Sequence, residues 1–266
     1  VHIVQFRDAP ERLFDTWAPA DPRRRAEAAA FVEGMKSFGK TDVLAGLERM
    51  LDLPLPDGRV GLAILITDGR PTKGLTDSSE IIARFSRENA GRRSVFAFGG
   101  GQRVNRYLLD LLSYMNRGAS EIVDQRAEIP AGVVSFAKSL SRPVLADLRY
   151  RFTGADDAEV FPRTLTHLYL DRPLVLYGRC PAERERIAFR IVGRSGTTQR
   201  DMVFPLVWGT APEADGTLPG RWAWQKIMHL VGEHIATDDP SVLREIRVLA
   251  DRYELTVPYG TDKPDR

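Results

Sequence analysis

In the first half of the chain, segments with a strand-like pattern of apolar residues alternate with segments of helical spacing. Residues 61–67 and 94–98 are almost continuously apolar, and such runs predict strands that are buried on both faces of a parallel sheet. Residues 1–6 alternate and are rich in β-branched side chains, and residues 119–123 form a shorter run, so both segments also predict strands. Residues 12–17 indicate a short return strand after the first of these.

Segments with helical character lie between these runs. Residues 23–35 are rich in alanine and follow Asp21-Pro22, a pair that is typical of a helix start. Apolar residues then recur at helical spacing in later segments, which are residues 42–51, 77–89, 104–115 and 129–140. This alternation of strands and helices predicts an α/β fold with a doubly wound, Rossmann-like and mostly parallel sheet.

The pattern changes at Pro143, and short alternating segments separated by turn residues follow. They predict antiparallel strands at residues 146–152, 174–179, 185–192 and 201–207. Helical spacing returns at Gly220 and predicts two helices, at about residues 222–231 and 240–253, before a polar tail at residues 260–266 that we expect to fray. The predicted parts are an α/β domain at residues 1–142, a β-rich, sandwich-like module at residues 143–215 and a C-terminal helical segment at residues 216–266.

Charge and cysteine content narrow the class of protein. The chain has 38 basic and 36 acidic residues and a net charge of +2, and this balance argues against a nucleic-acid partner. Its one cysteine, Cys180, cannot form an internal disulfide. No apolar run reaches the roughly 18 residues of a membrane-spanning helix, so no membrane span is predicted. Because Val1 stands directly in a predicted strand, we expect the chain to be a fragment of a longer protein.

Two short motifs stand where a parallel sheet would place a metal site. Residues 39–42 read Gly-Lys-Thr-Asp, and residues 64–69 read Ile-Leu-Ile-Thr-Asp-Gly. They resemble the second and third metal-binding motifs of von Willebrand factor A (VWA) domains, in which a divalent cation lies at the carboxyl ends of the strands. The resemblance implies that Thr41 and Asp68 belong to such a metal-ion-dependent adhesion site (MIDAS), with Mg²⁺ as the ion, since Mg²⁺ prefers oxygen ligands.

The likeness extends along most of the chain. Residues 98–101 (Phe-Gly-Gly-Gly), 136–148 and 221–259 resemble the A domain and following region of inter-alpha-trypsin inhibitor heavy chains and their bacterial relatives. This resemblance implies a non-enzymatic adhesion protein that binds a protein or extracellular matrix ligand, outside the cytoplasm, in the periplasm or at the cell surface. It further implies that the metal bridges to an acidic residue of the partner. No Gly-x-Ser-x-Gly nucleophile motif occurs in the sequence.

One departure from the family concerns the metal site itself. The first family motif, Asp-x-Ser-x-Ser, does not occur, and Thr-Asp-Ser-Ser at residues 76–79 has the wrong spacing and precedes a predicted helix. Residues 1–6 match the family's second strand, so we expect the central first strand to be missing and its neighbours to have exposed edges. Thr41 and Asp68 alone supply few oxygens, and we expect weak Mg²⁺ binding or none. The alternative role of Asp68 is to cap a turn at the strand end.

A phosphate-binding motif competes with the metal-site interpretation. The segment from Gly34 to Thr41 fits G-x-x-x-x-G-K-[ST], in which Lys40 would reach phosphates and Thr41 would hold Mg²⁺, as in a nucleotide-hydrolysing NTPase. Such a loop must follow a buried strand, whereas residues 26–33 favour a helix. We therefore expect no phosphate cradle here. A third hypothesis is purely structural, with the C-terminal part docking another domain.

Overall fold

The structure is a computed structural model that describes residues 1–36, 39–154, 156–180, 186–207 and 216–257. Its N-terminal part alternates strands and helices. The strands are β1 (Val4–Phe6), β2 (Pro10–Arg12), β3 (Gly61–Ile66), β4 (Arg93–Gly100) and β5 (Ser120–Val123). The helices are α1 (Pro22–Glu33), α2 (Val43–Leu51), α3 (Ser78–Asn89), α4 (Arg106–Met115) and α5 (Ile129–Ser139).

Strands β3, β4 and β5 form a parallel sheet in that order, which confirms the predicted α/β fold. Strand β4 is buried on both faces, as its apolar run predicts. Val95 and Ala97 point into a core shared with α2, α3 and α4, whereas Phe96 and Phe98 pack against Phe136 of α5. Helices therefore cover both faces of this central strand.

Polar caps start the helices where the sequence changes from loop to helical spacing. The carboxylate of Asp42 accepts a hydrogen bond from Ala45 N at the start of α2, and Asp77 accepts one from Glu80 N at the start of α3. Asn105 caps α4 in the same way through Leu108 N. Each cap satisfies a backbone donor that the first helical turn leaves without a partner.

The N-terminal strands form a hairpin of their own. Strand β1 pairs with β2 in antiparallel register, and the return strand is Pro10–Arg12 rather than residues 12–17. Backbone bonds do continue beyond it, from Leu13 N to Ile3 O and from Ala18 N to Val1 O. A bend at Asp15 and Thr16 separates these two hydrogen bonds. Residues 13–17 therefore lie beside the hairpin but do not form a strand.

The C-terminal part adds antiparallel strands and a helix pair. The strands are β6 (Pro143–Thr153), β7 (Val160–Phe161), β8 (Leu168–Tyr169), β9 (Tyr177–Gly178), β10 (Arg186–Ser195) and β11 (Thr198–Val207). They form one sheet with the order β11-β10-β6-β8 and a separate pair, β7-β9. The strand predicted at residues 174–179 is reduced to β9, and residues 174–176 before it form no strand.

The last two helices are α6 (Leu218–Thr237) and α7 (Pro240–Arg252). Ile227 and Ile246 are fully buried in the same core as Ile81 of α3 and Leu108 of α4. In the described parts of the chain, no helix is long and apolar enough to span a membrane. The tail predicted to fray at residues 260–266 lies outside the described residues.

One face of β3 is apolar and open, so the predicted burial of this strand on both faces is wrong. Leu62, Ile64 and Ile66 are 37%, 39% and 57% exposed, whereas the alternate residues Ala63 and Leu65 are buried. Among the described strands, β3 hydrogen-bonds only to β4, so its second edge has no strand partner. An open edge with apolar side chains is a template for pairing with another chain.

We expect Ile66→Lys to reduce self-association of the chain. The ammonium group would make pairing at the β3 edge unfavourable, while an exposed position should change the free energy of unfolding by no more than about 0.5 kcal/mol. Sedimentation velocity over a concentration series measures the effect. Val248→Lys is the matched control, because Val248 is 64% exposed but lies on α7. Equal effects of the two substitutions would show that the strand edge has no special role.

Candidate functional site

Thr41 lies in the loop before α2, and this loop is bonded to the loop after β3. Thr41 N donates to Thr72 Oγ1 at 2.8 Å. Thr72 N and Lys73 N both donate to the carbonyl oxygen of Thr41, at 2.9 and 3.1 Å. Thr41 is half-buried at this position. The two segments that carry the predicted site residues are therefore held together by their backbones.

Asp68 follows β3 and is exposed. Its Oδ1 atom accepts a hydrogen bond from Arg70 N at 3.0 Å, and its carbonyl oxygen accepts one from Asn105 N at 2.8 Å. Gly69 has φ of +70°, and a Cβ atom there would lie 3.2 Å from the carbonyl oxygen of Asn105. Asp68 therefore caps a turn, which is the predicted alternative to a role as a metal ligand. The cap fixes its carboxylate at the carboxyl end of the sheet.

Asp8 is a third residue at this end of the strands, and the motifs did not indicate it. Its Oδ1 atom accepts a hydrogen bond from Lys40 N at 3.3 Å, and its carbonyl oxygen accepts one from Lys73 Nζ. Gly39 approaches it so closely that a Cβ atom would lie 2.4 Å from Asp8 Oδ2. The available signal was positional: Asp8 stands two residues after β1, as Asp68 stands two residues after β3.

The charges at this site do not fit a tight Mg²⁺ site. Lys73 places its ammonium group against the loop of Asp8, where it would repel a divalent cation. Within the described ranges, no group of three or more His, Cys, Asp or Glu residues could hold a metal ion. Mg²⁺ requires a near-octahedral set of oxygens, and Thr41 and Asp68 supply only part of one.

The phosphate-loop interpretation finds no support in the local structure. Gly34 leaves the end of α1, and its N–H donates to Ala30 O at 3.0 Å, so a helix stands where a P-loop needs a strand. Lys40 and Thr41 are joined to Asp8 and Thr72 through their backbone N–H groups. Residues 37–38 of this motif lie outside the described residues.

Comparisons with known proteins agree with the fold and the motifs. Residues 1–122 match the von Willebrand factor type A domain family. Inter-alpha-trypsin inhibitor heavy chain H4 of Homo sapiens is 26% identical over 186 residues, which cover 67% of this chain and 20% of the relative. Heavy chain H6 of Homo sapiens is 25% identical over 199 residues, covering 68% of this chain and 15% of the relative. The chain thus matches a fifth or less of these relatives' length.

A solved structure is similar in fold to nearly the whole chain. The von Willebrand factor type A protein from Catenulispora acidiphila superimposes with a TM-score of 0.60 over 95% of this chain and 70% of that chain. Its sequence identity is 14%, so this likeness concerns the fold alone. The matched family and the curated relatives support a von Willebrand factor type A domain protein of the inter-alpha-trypsin inhibitor heavy chain-like type.

Proposed function

We propose that the chain is a non-enzymatic module that binds a protein or extracellular matrix ligand through the carboxyl ends of its strands. We call this surface the carboxyl rim and define it by Asp8, Lys40, Thr41, Asp68 and Lys73. The observation that supports it is the bonding of the loops after β1 and β3 to the Thr41 loop. Such bonding holds exposed charges in a fixed arrangement, and a preorganised surface loses less conformational entropy on binding.

The rim is proposed to bind its partner without a tightly held Mg²⁺ ion. Asp8 and Asp68 offer carboxylates to basic groups of a partner, and Lys40 offers an ammonium group to acidic ones. Fixed charges of both signs favour specificity and association rate. Thr41 and Asp68 are then remnants of the family's MIDAS rather than a complete site. From the resemblance to inter-alpha-trypsin inhibitor heavy chains, we also propose that the protein acts outside the cytoplasm.

The structural docking hypothesis has an observation of its own. The edge strand β11 exposes Val203, Phe204, Leu206 and Val207, with Val203 60% exposed and Phe204 46% exposed. A contiguous apolar edge of this kind is suited to contact with another domain of the same protein. If docking of another domain were the role of the chain, substitutions in the carboxyl rim would not affect ligand binding. The test below therefore separates the two hypotheses.

We expect the double variant Asp8→Asn/Asp68→Asn to weaken ligand binding on the order of tenfold, because two charges leave the rim while the amide oxygens keep the loop hydrogen bonds. Surface plasmon resonance on immobilised collagen and fibronectin, as representative matrix proteins, measures the change. Asp57→Asn is the matched control, since Asp57 is exposed and lies before the amino end of β3. Equal binding by wild type and double variant, or no binding to either protein, would count against the rim.

Metal removal supplies the second arm of the same experiment. We expect EDTA to leave binding unchanged and a calorimetric Mg²⁺ titration to give at most millimolar affinity, because the rim lacks a full set of oxygen ligands. Asp68→Ala serves as the control in that titration. Saturable micromolar Mg²⁺ binding that disappears in Asp68→Ala would show instead that a working MIDAS survives.

A further inference from the structure

A cleft of about 610 Å³ lies between the α/β part and the strands that follow it. It is far along the chain from the rim residues and takes no part in the proposed function. Its charged and aromatic lining consists of Arg117, Asp147, Arg149, Tyr150, Asp157 and Arg163. Arg117 comes from the turn between α4 and β5, and the other five come from β6 and the segment after it.

A β-bulge shapes one wall of the cleft. The register of β6 against β10 shifts between Val192 and Arg194, so Asp147 and Leu148 lie opposite the single residue Gly193. A Cβ atom on Gly193 would lie 2.6 Å from Leu148 Cδ2, so this close approach needs glycine. Asp147 has φ of +54°, which is rare for a residue with a side chain. Bulges re-aim side chains, and this one turns Asp147 into the cleft.

Asp147 is held by two guanidinium groups. Arg194 Nη2 donates to its carboxylate at 2.8 Å, and Arg117 Nη1 lies 3.5 Å from it. Burial alone would raise the pKa of Asp147, but the hydrogen bond from Arg194 and the charge of Arg117 lower it below its usual value. Arg117 also has a left-handed backbone, with φ of +58°. Two strained residues joined by an ion pair indicate a built feature of the fold.

The second carboxylate of the cleft also has partners. Asp157 Oδ1 accepts a hydrogen bond from Phe152 N at 2.7 Å, and its Oδ2 lies 3.8 Å from Arg151 Nε. Neither acidic residue of the cleft is therefore left to neutralise the remaining arginines.

Two arginines of the lining keep an uncompensated charge. Arg149 is exposed on β6 and, within the described residues, has no carboxylate within ion-pair distance. Arg163 donates to the carbonyl oxygen of Ala158 at 2.8 Å and stacks over Phe161, with 5.3 Å between its Cζ atom and the ring centre, but it too has no carboxylate partner in these ranges. The cleft therefore presents positive charge above an apolar floor that includes Leu148 and Leu165.

From this charge distribution we infer that the cleft binds an acidic peptide segment, whose carboxylate side chain is held by Arg149 and Arg163. Arginine suits this role because its planar donors match the two oxygens of a carboxylate. The apolar floor and the Tyr150 ring would take the flanking side chains. A polyphosphate backbone is disfavoured, because the walls also carry the carboxylates of Asp147 and Asp157.

Fluorescence anisotropy tests the inference with a labelled decapeptide of glycine, alanine and leucine that carries two central glutamates. We expect Arg149→Ala/Arg163→Ala to weaken its binding on the order of tenfold or more, and replacement of both glutamates by glutamine to weaken binding to the wild type similarly. Both arginines are exposed, and circular dichroism should show an unchanged fold. Arg200→Ala is the matched control, because Arg200 is exposed on β11 and is not part of the cleft lining.

Three outcomes would overturn the inference. One is equal affinity of the glutamate and glutamine peptides for the wild type. Another is an equal loss of affinity in Arg200→Ala and in the double variant. The third is displacement of the peptide by inorganic phosphate at a lower concentration than by unlabelled glutamate peptide, which would assign the cleft to phosphate.

Discussion

The substitution Gly118→Ala is expected to lower the free energy of unfolding by more than about 4 kcal/mol, a loss that marks a severe steric or core defect. A Cβ atom on Gly118 would lie 1.7 Å from the carbonyl oxygen of Val95, so β4 or the turn before β5 would have to move. That turn is fixed by the bond from Gly118 N to Ser113 O at 2.9 Å and from Val95 N to Asn116 O at 3.0 Å. Guanidinium denaturation followed by circular dichroism measures the loss.

Gly220→Ala is the matched control for this substitution. Gly220 lies in the first turns of α6, and no atom lies within 4 Å of the position that its Cβ would occupy. Alanine favours a helix over glycine by up to about 1 kcal/mol, so this variant should be as stable as the wild type or slightly more stable. If Gly118→Ala cost less than about 1 kcal/mol, the close approach to β4 would not exist.

The elements with the longest apolar patterns could be predicted from the sequence. The strands predicted at residues 61–67 and 94–98 correspond to β3 and β4, whose parallel pairing confirms the α/β fold. The two-residue strands β7 and β8 were beyond such prediction, because periodicity needs a longer segment to show itself, and β9 was predicted only as part of a longer strand. Helix α6 was predicted, but its spacing could not reveal that Ile227 packs in the core formed by α3 and α4.

The site was less predictable than the fold. The motifs around Thr41 and Asp68 indicated the VWA family, and residues 1–122 match that family. They did not indicate Asp8, because one acidic residue after a three-residue strand is a weak signal. The left-handed backbone of Asp147 was equally hidden, since it depends on the register between β6 and β10. Both features arise from tertiary contacts, which local sequence patterns do not encode.

A buried amide network connects three elements of the core, and its removal is expected to have the second largest effect. Asn89, at the end of α3, donates from Nδ2 to the carbonyl oxygen of Arg93 and to Asn116 Oδ1, both at 2.8 Å. Its Oδ1 accepts a hydrogen bond from Arg93 N at 3.1 Å. Asn116, after α4, donates to Ser86 Oγ and to the carbonyl oxygen of Leu112, both at 2.8 Å. Asn89 is fully buried, so no solvent can replace these partners.

We therefore expect Asn89→Ala to lower the free energy of unfolding by about 3–5 kcal/mol, since each buried group left without a partner costs about 1–3 kcal/mol. Ser113→Ala is the matched control, because Ser113 is also fully buried but its hydroxyl has no hydrogen-bond partner within the described chain. That variant should change stability by less than about 0.5 kcal/mol or increase it, as removal of an unsatisfied polar group does. A double-mutant cycle with Asn116→Ala should give a coupling of about 1–3 kcal/mol. Additive losses, or equal losses for Asn89→Ala and Ser113→Ala, would mean that the amide bonds do not stabilise the junction of α3, β4 and α4.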